Sequence, residues 1–206
     1  MVRTVKKPEE RKQEIVATAR ELFQKKDYEN TTMQDIMDAL GIAKGTIYHY
    51  FKSKEELLEA VVEDAVEEYI AGMEKVLNET EGTGLDKMRA LITSGNVEEQ
   101  YEKILEHLHR PGNVSMHTQQ LAVTLSRLAP LYASAIQQGC DEGIFQTEHP
   151  RECAEFLLAG IQFLTDVGFY PWSQEDLTRR AMAIPALVEA QLNAPKGSFD
   201  FLIEGI

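Results

Sequence analysis

The spacing of apolar residues between Leu57 and Leu77 limits this chain more than any other feature of it. Leu57, Leu58, Val61, Val62, Ala65, Val66, Tyr69, Ile70, Met73, Val76 and Leu77 recur at intervals of three and four. That is the period of an α-helix, and the apolar face is wide enough to need packing on two sides, as a helix bridging two substructures would be. Nearly every other segment repeats the period, and strand-like alternation is almost absent. The expected fold is all-α, with about nine helices.

Local signals place the elements. "PEERKQEIVATARELFQKK" opens on a proline and two acids, a good helix entry, and turns Ile15, Ala19, Leu22 and Phe23 to one side. "TTMQDIMDAL" follows, with Thr31 and Gln34 spaced as a capping box and a stripe of Met33, Ile36, Met37 and Leu40. Gly41 stands where a helix end wants a left-handed residue. A short helix over about Ala43–Phe51 comes next, and Ser53 with Glu56 forms a second capping box at the head of the long helix. "NETEGTG" reads as a linker, and "SGN" (94–96) and "RPGN" (110–113) as further breaks. Helices are expected near 85–93, 97–109 and 115–141, the last bent or interrupted near Pro130. Pro150 should open a helix to about 169 that Pro171 ends, and Ser173 should cap a last helix through Leu192, kinked at Pro185. The tail "APKGSFDFLIEGI" has no clear form.

Net charge is −13, which by itself argues against a polyanionic partner. Its distribution does not: residues 1–54 carry 11 basic and 8 acidic side chains, a balance of +3, and the rest carry 10 and 26, a balance of −16. Only the first part is suited to meet a polyanion. Cys140 and Cys153 are too few for a disulfide framework and read as small buried residues. No apolar run reaches the roughly 20 residues that span a bilayer, and the charged start has no apolar signal region, so a cytoplasmic protein without membrane contact is expected.

"GIAKGTIYHYFKSKEEL" carries the chemistry. On one short helix, Ile47, Tyr50 and Phe51 share a side and can pack on the preceding stripe. Lys44, Tyr48 and Lys52 share another, flanked by Thr46 and His49. A capped helix, a turn at Gly41 and a second helix with a polar face describe a helix-turn-helix over about 32–51, whose second helix enters the DNA major groove. Lys44 and Lys54 sit near helix starts, where phosphate is welcome. Gly45 permits close backbone approach, Thr46, Tyr48 and His49 can reach phosphates or base edges, and Thr32 can donate to the DNA backbone.

"TTMQDIMDALGIAKGTIYHYFKSKEEL", with "ATARELFQKKDYENTT" before it, resembles the DNA-binding segment of the tetracycline-repressor (TetR) family of bacterial transcription regulators. Thr32, Gly41, Lys44, Gly45, Tyr48, Phe51, Ser53, Lys54 and Glu55 carry the likeness, over about residues 9–69. Met37-Asp38 departs from it, standing where small residues are usual. The resemblance implies an N-terminal three-helix DNA-binding domain followed, over 70–206, by a helical domain that binds a small effector and forms a homodimer. It also implies that the Tyr48 hydroxyl binds a phosphate, that Lys44 and Lys54 anchor phosphates, and that Thr46 and His49 read bases. Tyr50 and Phe51 would be core. From the residues alone, Tyr48 as a plain surface ring and His49 as a phosphate contact remain open.

The acidic remainder supports part of this independently. "RECAEFLLAGIQFLTDVGFY" is apolar nearly all round, and Ala154, Phe156, Leu157, Ala159, Gly160, Ile161 and Leu164 can join Met182 and Leu187 of the last helix in a four-helix interface between two copies. A buried central helix within one subunit is the alternative. Met88, Leu91, Ile92, Tyr101, Ile104, Leu108, Leu121, Leu125 and Phe163 are candidates to line a partly apolar effector pocket, with His117 and Gln120 among its polar groups. His107 and His109 are two apart and point to different sides of a helix, which disfavours joint metal binding. No nucleophile–base spacing, metal motif or phosphate loop marks an enzyme or calls for a cofactor. The expected protein is a homodimeric repressor, released from a palindromic operator in double-stranded DNA by a small molecule. The alternative is an orphan regulator of the same fold, controlled by a protein partner or by abundance.

Overall fold

The computed structural model describes residues 7–94, 114–168 and 170–204, and every regular element among them is helical. The α-helices are α1 (Pro8–Lys26), α2 (Met33–Leu40), α3 (Lys44–Tyr50), α4 (Lys54–Glu79), α5 (Gly84–Ser94), α6 (Val114–Asp141), α7 (Pro150–Thr165) and α8 (Gln174–Leu192). A short 3₁₀ turn, Asp200–Ile203, follows them. The helix expected over 97–109 lies outside the described residues. None of the helices is long and apolar enough to cross a membrane among the described residues.

These residues form two compact units, 7–68 with 114–116, and 69–94 with 117–168 and 170–204. The division falls inside α4, between Glu68 and Tyr69. Residues 114–116 go with the first unit, where Met116 packs against its core.

The first unit is built on the stripes expected of it. Ile15, Val16, Ala19 and Phe23 of α1 meet Ile36 and Met37 of α2, Ile47 of α3 with Phe51 just after it, and Leu57, Leu58, Val61 and Val62 of α4. Each is close to fully buried, and a buried side chain of that size contributes about 1.5–3 kcal/mol. Gly41 takes the left-handed conformation, φ 62°, and its N–H bonds back to Asp38 and Met37. The capping box sits one residue later than expected. Thr32, not Thr31, caps α2, with Asp35 as its partner. Thr31 is buried, and its hydroxyl donates to the Leu22 and Asp27 carbonyls that close α1. Of two adjacent threonines, the inner one was drawn into the α1 exit.

In the second unit α5 crosses α6 at glycines. A Cβ on Gly84 would stand 2.3 Å from the Gly139 nitrogen and 2.5 Å from the Ala135 oxygen. The Gly84 N–H donates to Glu142 Oε2 at 2.8 Å, so the α6 end caps the α5 start. Helix α6 continues through Pro130 and α8 through Pro185; neither is interrupted. Ser173 caps α8 as expected, accepting from the Asp176 N–H at 3.1 Å. Helix α7 packs on α8 but stops at Thr165, short of the expected 169. Asp166 leaves the helix because its carboxylate is used elsewhere: Oδ1 accepts from the Gly168 N–H at 2.7 Å, and Oδ2 pairs with His117 Nε2 at 3.0 Å. The C-terminal tail docks, with Phe199 buried beside Phe145 at 6.0 Å between ring centroids and its N–H bonded to Glu189.

Gly84→Ala should cost about 1–3 kcal/mol, because the new methyl meets backbone rather than a yielding side chain. Gly72→Ala, on exposed α4 with nothing within 4 Å, should instead gain about 0.5–1 kcal/mol. Denaturant melts of the two variants should move in opposite directions.

Candidate nucleic-acid interface

The orientation of α3 follows from one buried residue. Ile47 is fully enclosed by the first unit's core, and Phe51 closes the same side. At 100° per residue the opposite face then carries Gly45 and His49, with Tyr48 and Lys44 together on one flank. Lys44, Gly45 and His49 are exposed; Thr46, Tyr48 and Tyr50 are half-buried. Both tyrosines lean on the core, so the Tyr48 ring is part scaffold and part surface. The Lys44 ammonium lies 5.6 Å from the Tyr48 ring centroid, which keeps charge and phenol together at one edge. The His49 ring meets Tyr50 edge-on at 5.1 Å. A Cβ on Gly45 would meet nothing within 4 Å, so nothing inside the chain demands a glycine there.

Three of the expected contacts are arranged differently from the sequence reading. Lys52 does not continue the Lys44–Tyr48 row, because α3 ends at Tyr50 and Phe51 is extended at φ −133°. Its exposed ammonium turns back and donates to the Tyr48 carbonyl at 2.8 Å, closing the α3 C-terminus. Lys54 is half-buried. Its ammonium donates to the Tyr28 carbonyl at 2.8 Å and the Thr31 carbonyl at 3.0 Å, and it lies 4.1 Å from the centroid of the Tyr28 ring. Two of its three protons are thus spent on the α1–α2 turn, and the residue clamps that turn to α4. Thr32 donates its hydroxyl to Asp35 Oδ2 at 2.6 Å instead of presenting it outward.

Lys26 and Tyr28 went unnoticed in the sequence, where a basic residue at a helix end and a tyrosine in a turn are unremarkable. Lys26 bonds Asp35 at 2.8 Å and, with Thr32, holds that carboxyl well below the usual carboxylate range. The lowered acid contributes stability above its unfolded pKa of about 4, and the contribution fades as pH falls through the lowered value. Burial, with the nearby Glu55 and Glu29 charges, pushes the Tyr28 phenol up to about 12, so it stays neutral under the Lys54 ammonium.

The second unit sorts its candidates as well. Met88 and Leu91 are buried, and Ile92, Leu121 and Leu125 are half-buried. Tyr101, Ile104 and Leu108, with His107 and His109, lie outside the described residues. Phe163 is not a lining residue of the described interior: it is 54% exposed, one α7 face with Phe156 at 73%. Met182 at 53% and Leu187 at 63% are its counterparts on α8. Ile161 and Leu164 are also exposed, and Leu157, Ala159 and Gly160 half so. Ala154 is buried within its own unit and offers nothing to a second copy. Cys153 is buried and Cys140 half-buried, both free thiols bonded to Thr147. Cys140 lines a shallow cleft of about 460 Å³ with Phe145, Gln146, Thr147, Glu148 and Asn193, none of them foreseen as a site.

Comparison with known proteins agrees with this arrangement. Residues 15–61 match the family of bacterial regulatory proteins of the tetR type, and residues 92–187 match a tetracycline-repressor-like C-terminal domain. The chain is 32% identical to the HTH-type transcriptional repressor KstR2 of Mycolicibacterium smegmatis, over 52% of its own length and about half, 48%, of that relative. A TetR-family regulator from Pectobacterium atrosepticum superposes with a TM-score of 0.67 at 20% identity, over 91% of this chain and 97% of that one. SmeT, the repressor of the Stenotrophomonas maltophilia multidrug efflux pump SmeDEF, does so with a TM-score of 0.61 at 20% identity, over 91% and 92%. At such identities the two structures speak for the fold.

The lysines should separate by assay. Lys44→Ala should leave the melting temperature unchanged, weaken DNA binding and lower the salt slope of log K by about 1. Lys54→Met should lower the melting temperature first, since it removes two buried-side hydrogen bonds. Gel-shift titrations at several salt concentrations, paired with thermal melts, distinguish the two.

Proposed function

Because the chain belongs to the tetracycline-repressor family of DNA-binding transcription regulators, we propose that it is a homodimeric repressor, released from a palindromic operator by a small, partly apolar effector. The observation that carries the DNA half is the rotation of α3, with Ile47 buried behind and Lys44, Gly45 and His49 bare in front. Lys44 and Tyr48 serve phosphates. Thr46 and His49 are the base readers. Lys52 and Lys54 act from behind, Lys52 closing the C-terminus of the reading helix and Lys54 clamping the α1–α2 turn to α4, and Thr32 reaches the DNA backbone only by exchanging its Asp35 partner.

The dimer reading rests on the apolar face of α7 and α8. Phe156, Phe163, Met182 and Leu187 are large, exposed and carried by helices that pack on each other, a combination that marks an interaction surface. A second copy seated there places two recognition helices on one face of DNA, about 34 Å apart for adjacent major grooves. The strongly acidic remainder of the chain keeps non-specific contact with DNA to the head. In this reading an effector acts by preferring one conformation of the second unit over another, and α4, which runs through both units, carries the difference.

DNA selected from a random pool should converge on an inverted repeat. A single half-site would refute the dimeric mode. Phe156→Glu with Leu187→Glu should give a monomer in sedimentation and weaken operator binding at least about tenfold. If no compound in a metabolite and drug collection releases the operator, the orphan-regulator reading takes over.

A further inference from the structure

The line of α3 opposite Ile47 is half bare. Gly45 and His49 stand on that line, one turn apart, with Lys44 and Tyr48 on one flank and Thr46 and Tyr50 on the other. Two contacts draw the long neighbours of Gly45 aside. The Lys44 ammonium lies 5.6 Å from the Tyr48 ring centroid, and the His49 ring meets Tyr50 edge-on at 5.1 Å. Gly45 is exposed, and a Cβ built on it would meet nothing within 4 Å, the His49 ring included. What remains is a floor of backbone C–H between walls of side chain.

The glycine has no reason inside the chain. Its φ is not positive, so the left-handed freedom of glycine is unused, and glycine is a poorer helix former than alanine. Gly72 and Gly160 are equally open, so openness alone marks no contact. They differ in place. Gly72 belongs to α4 in the second unit and Gly160 to α7, whereas Gly45 lies on the crest of the helix face suited to DNA.

A helix with its side chains is about 10–12 Å across and the DNA major groove is about 12 Å wide, so the crest of a helix lying there faces base edges while its flanks face the phosphate walls. The Gly45 floor aims neither a donor nor an acceptor at those edges, having no side chain and an N–H that points along the helix axis. Among the groups that base pairs present in the major groove, the thymine C5-methyl is the apolar one that projects. We propose that Gly45 determines sequence specificity, its bare floor receiving the C5-methyl of a thymine in the operator. This rests on the DNA-binding reading above. Cytosine would leave a methyl-sized gap over the floor, and the amino or carbonyl group of a purine would be pressed dry against C–H without a partner.

The test uses the full-length protein and the operator it selects from a random pool. Each thymine in turn is replaced by uracil, which removes only the methyl, and each guanine by 7-deazaguanine, which removes only an acceptor. Affinities of the native protein and of Gly45→Ala are read by fluorescence anisotropy at one salt concentration, beside thermal melts of both. At one thymine position, uracil should weaken binding of the native protein about fourfold, the loss expected for one buried methyl. Gly45→Ala should melt no lower than the native protein and bind the thymine operator at least about tenfold more weakly. At that same position it should bind the uracil operator better than the thymine operator, because the two methyls compete for one place. A phosphate or sugar lying against Gly45 would instead give the same loss with either base. The proposal is overturned, with the DNA-binding reading intact, if no thymine is sensitive to its methyl or if uracil costs both proteins equally. It is overturned too if Gly45→Ala couples to a 7-deazaguanine position and to no uracil. The uracil series on the native protein decides the matter even where the variant folds poorly. If the pool yields no bound DNA, the DNA-binding reading and this proposal fall together.

Discussion

Everything functional in the first unit depends on the burial of Ile47. It is the only α3 residue that is fully enclosed, and with Phe51 it fixes the rotation of a seven-residue helix too short to hold any orientation on its own. Turned by one residue, the same helix would bury Tyr48 or Thr46 and turn Ile47 to solvent, losing about 1.5–3 kcal/mol of apolar burial and hiding the groups suited to DNA. The helix-turn-helix is therefore less a motif than a consequence of packing. The α2 stripe supplies the surface, Gly41 supplies the turn, and Ile47 decides which side of α3 is left for the groove.

Around that anchor two lysines hold backbone in place. Lys52 closes the α3 C-terminus and Lys54 ties the α1–α2 turn to the start of α4. A lysine has a long stem and three donors, so it can serve an anion outside or carbonyls inside. For Lys54 sequence spacing does not choose between these, because its carbonyls come from a turn 23 and 26 residues away. Tyr28 is decisive for Lys54, since its ring and carbonyl together make a site for a cation. The capping shift has a nearer cause. Which of Thr31 and Thr32 caps α2 depends on the α1 exit, where Thr31 is needed by Leu22 and Asp27.

In the second unit, periodicity revealed the helices but not their partners. The apolar run after Pro150 predicts a helix to about 169; it ends at Thr165, where Asp166 bonds His117 and Gly168 instead. Arg180 confirms the stop by donating to the Leu164 carbonyl at 2.6 Å while stacked on Trp172 at 3.9 Å. Helix α7 is apolar on several sides, so sequence alone could not say which side the subunit consumes. Ala154 is buried and Phe156 and Phe163 are exposed on a helix that packs against α8. The tail, formless as a sequence, docks where Phe199 stacks on Phe145 of the α6–α7 loop.

The sequence by itself determined the helical class, most helix starts, the turn at Gly41 and the identity of the polar face of α3. These are properties of neighbours within a turn or two, where period, caps and glycine conformation act locally. Only the tertiary structure decided which lysines face outward, which threonine caps, where α7 ends and which of its residues stay exposed. Most of those outcomes are competitions for a hydrogen-bond partner or a packing surface supplied by another element of the fold, and such competitors meet only once the helices have been brought together.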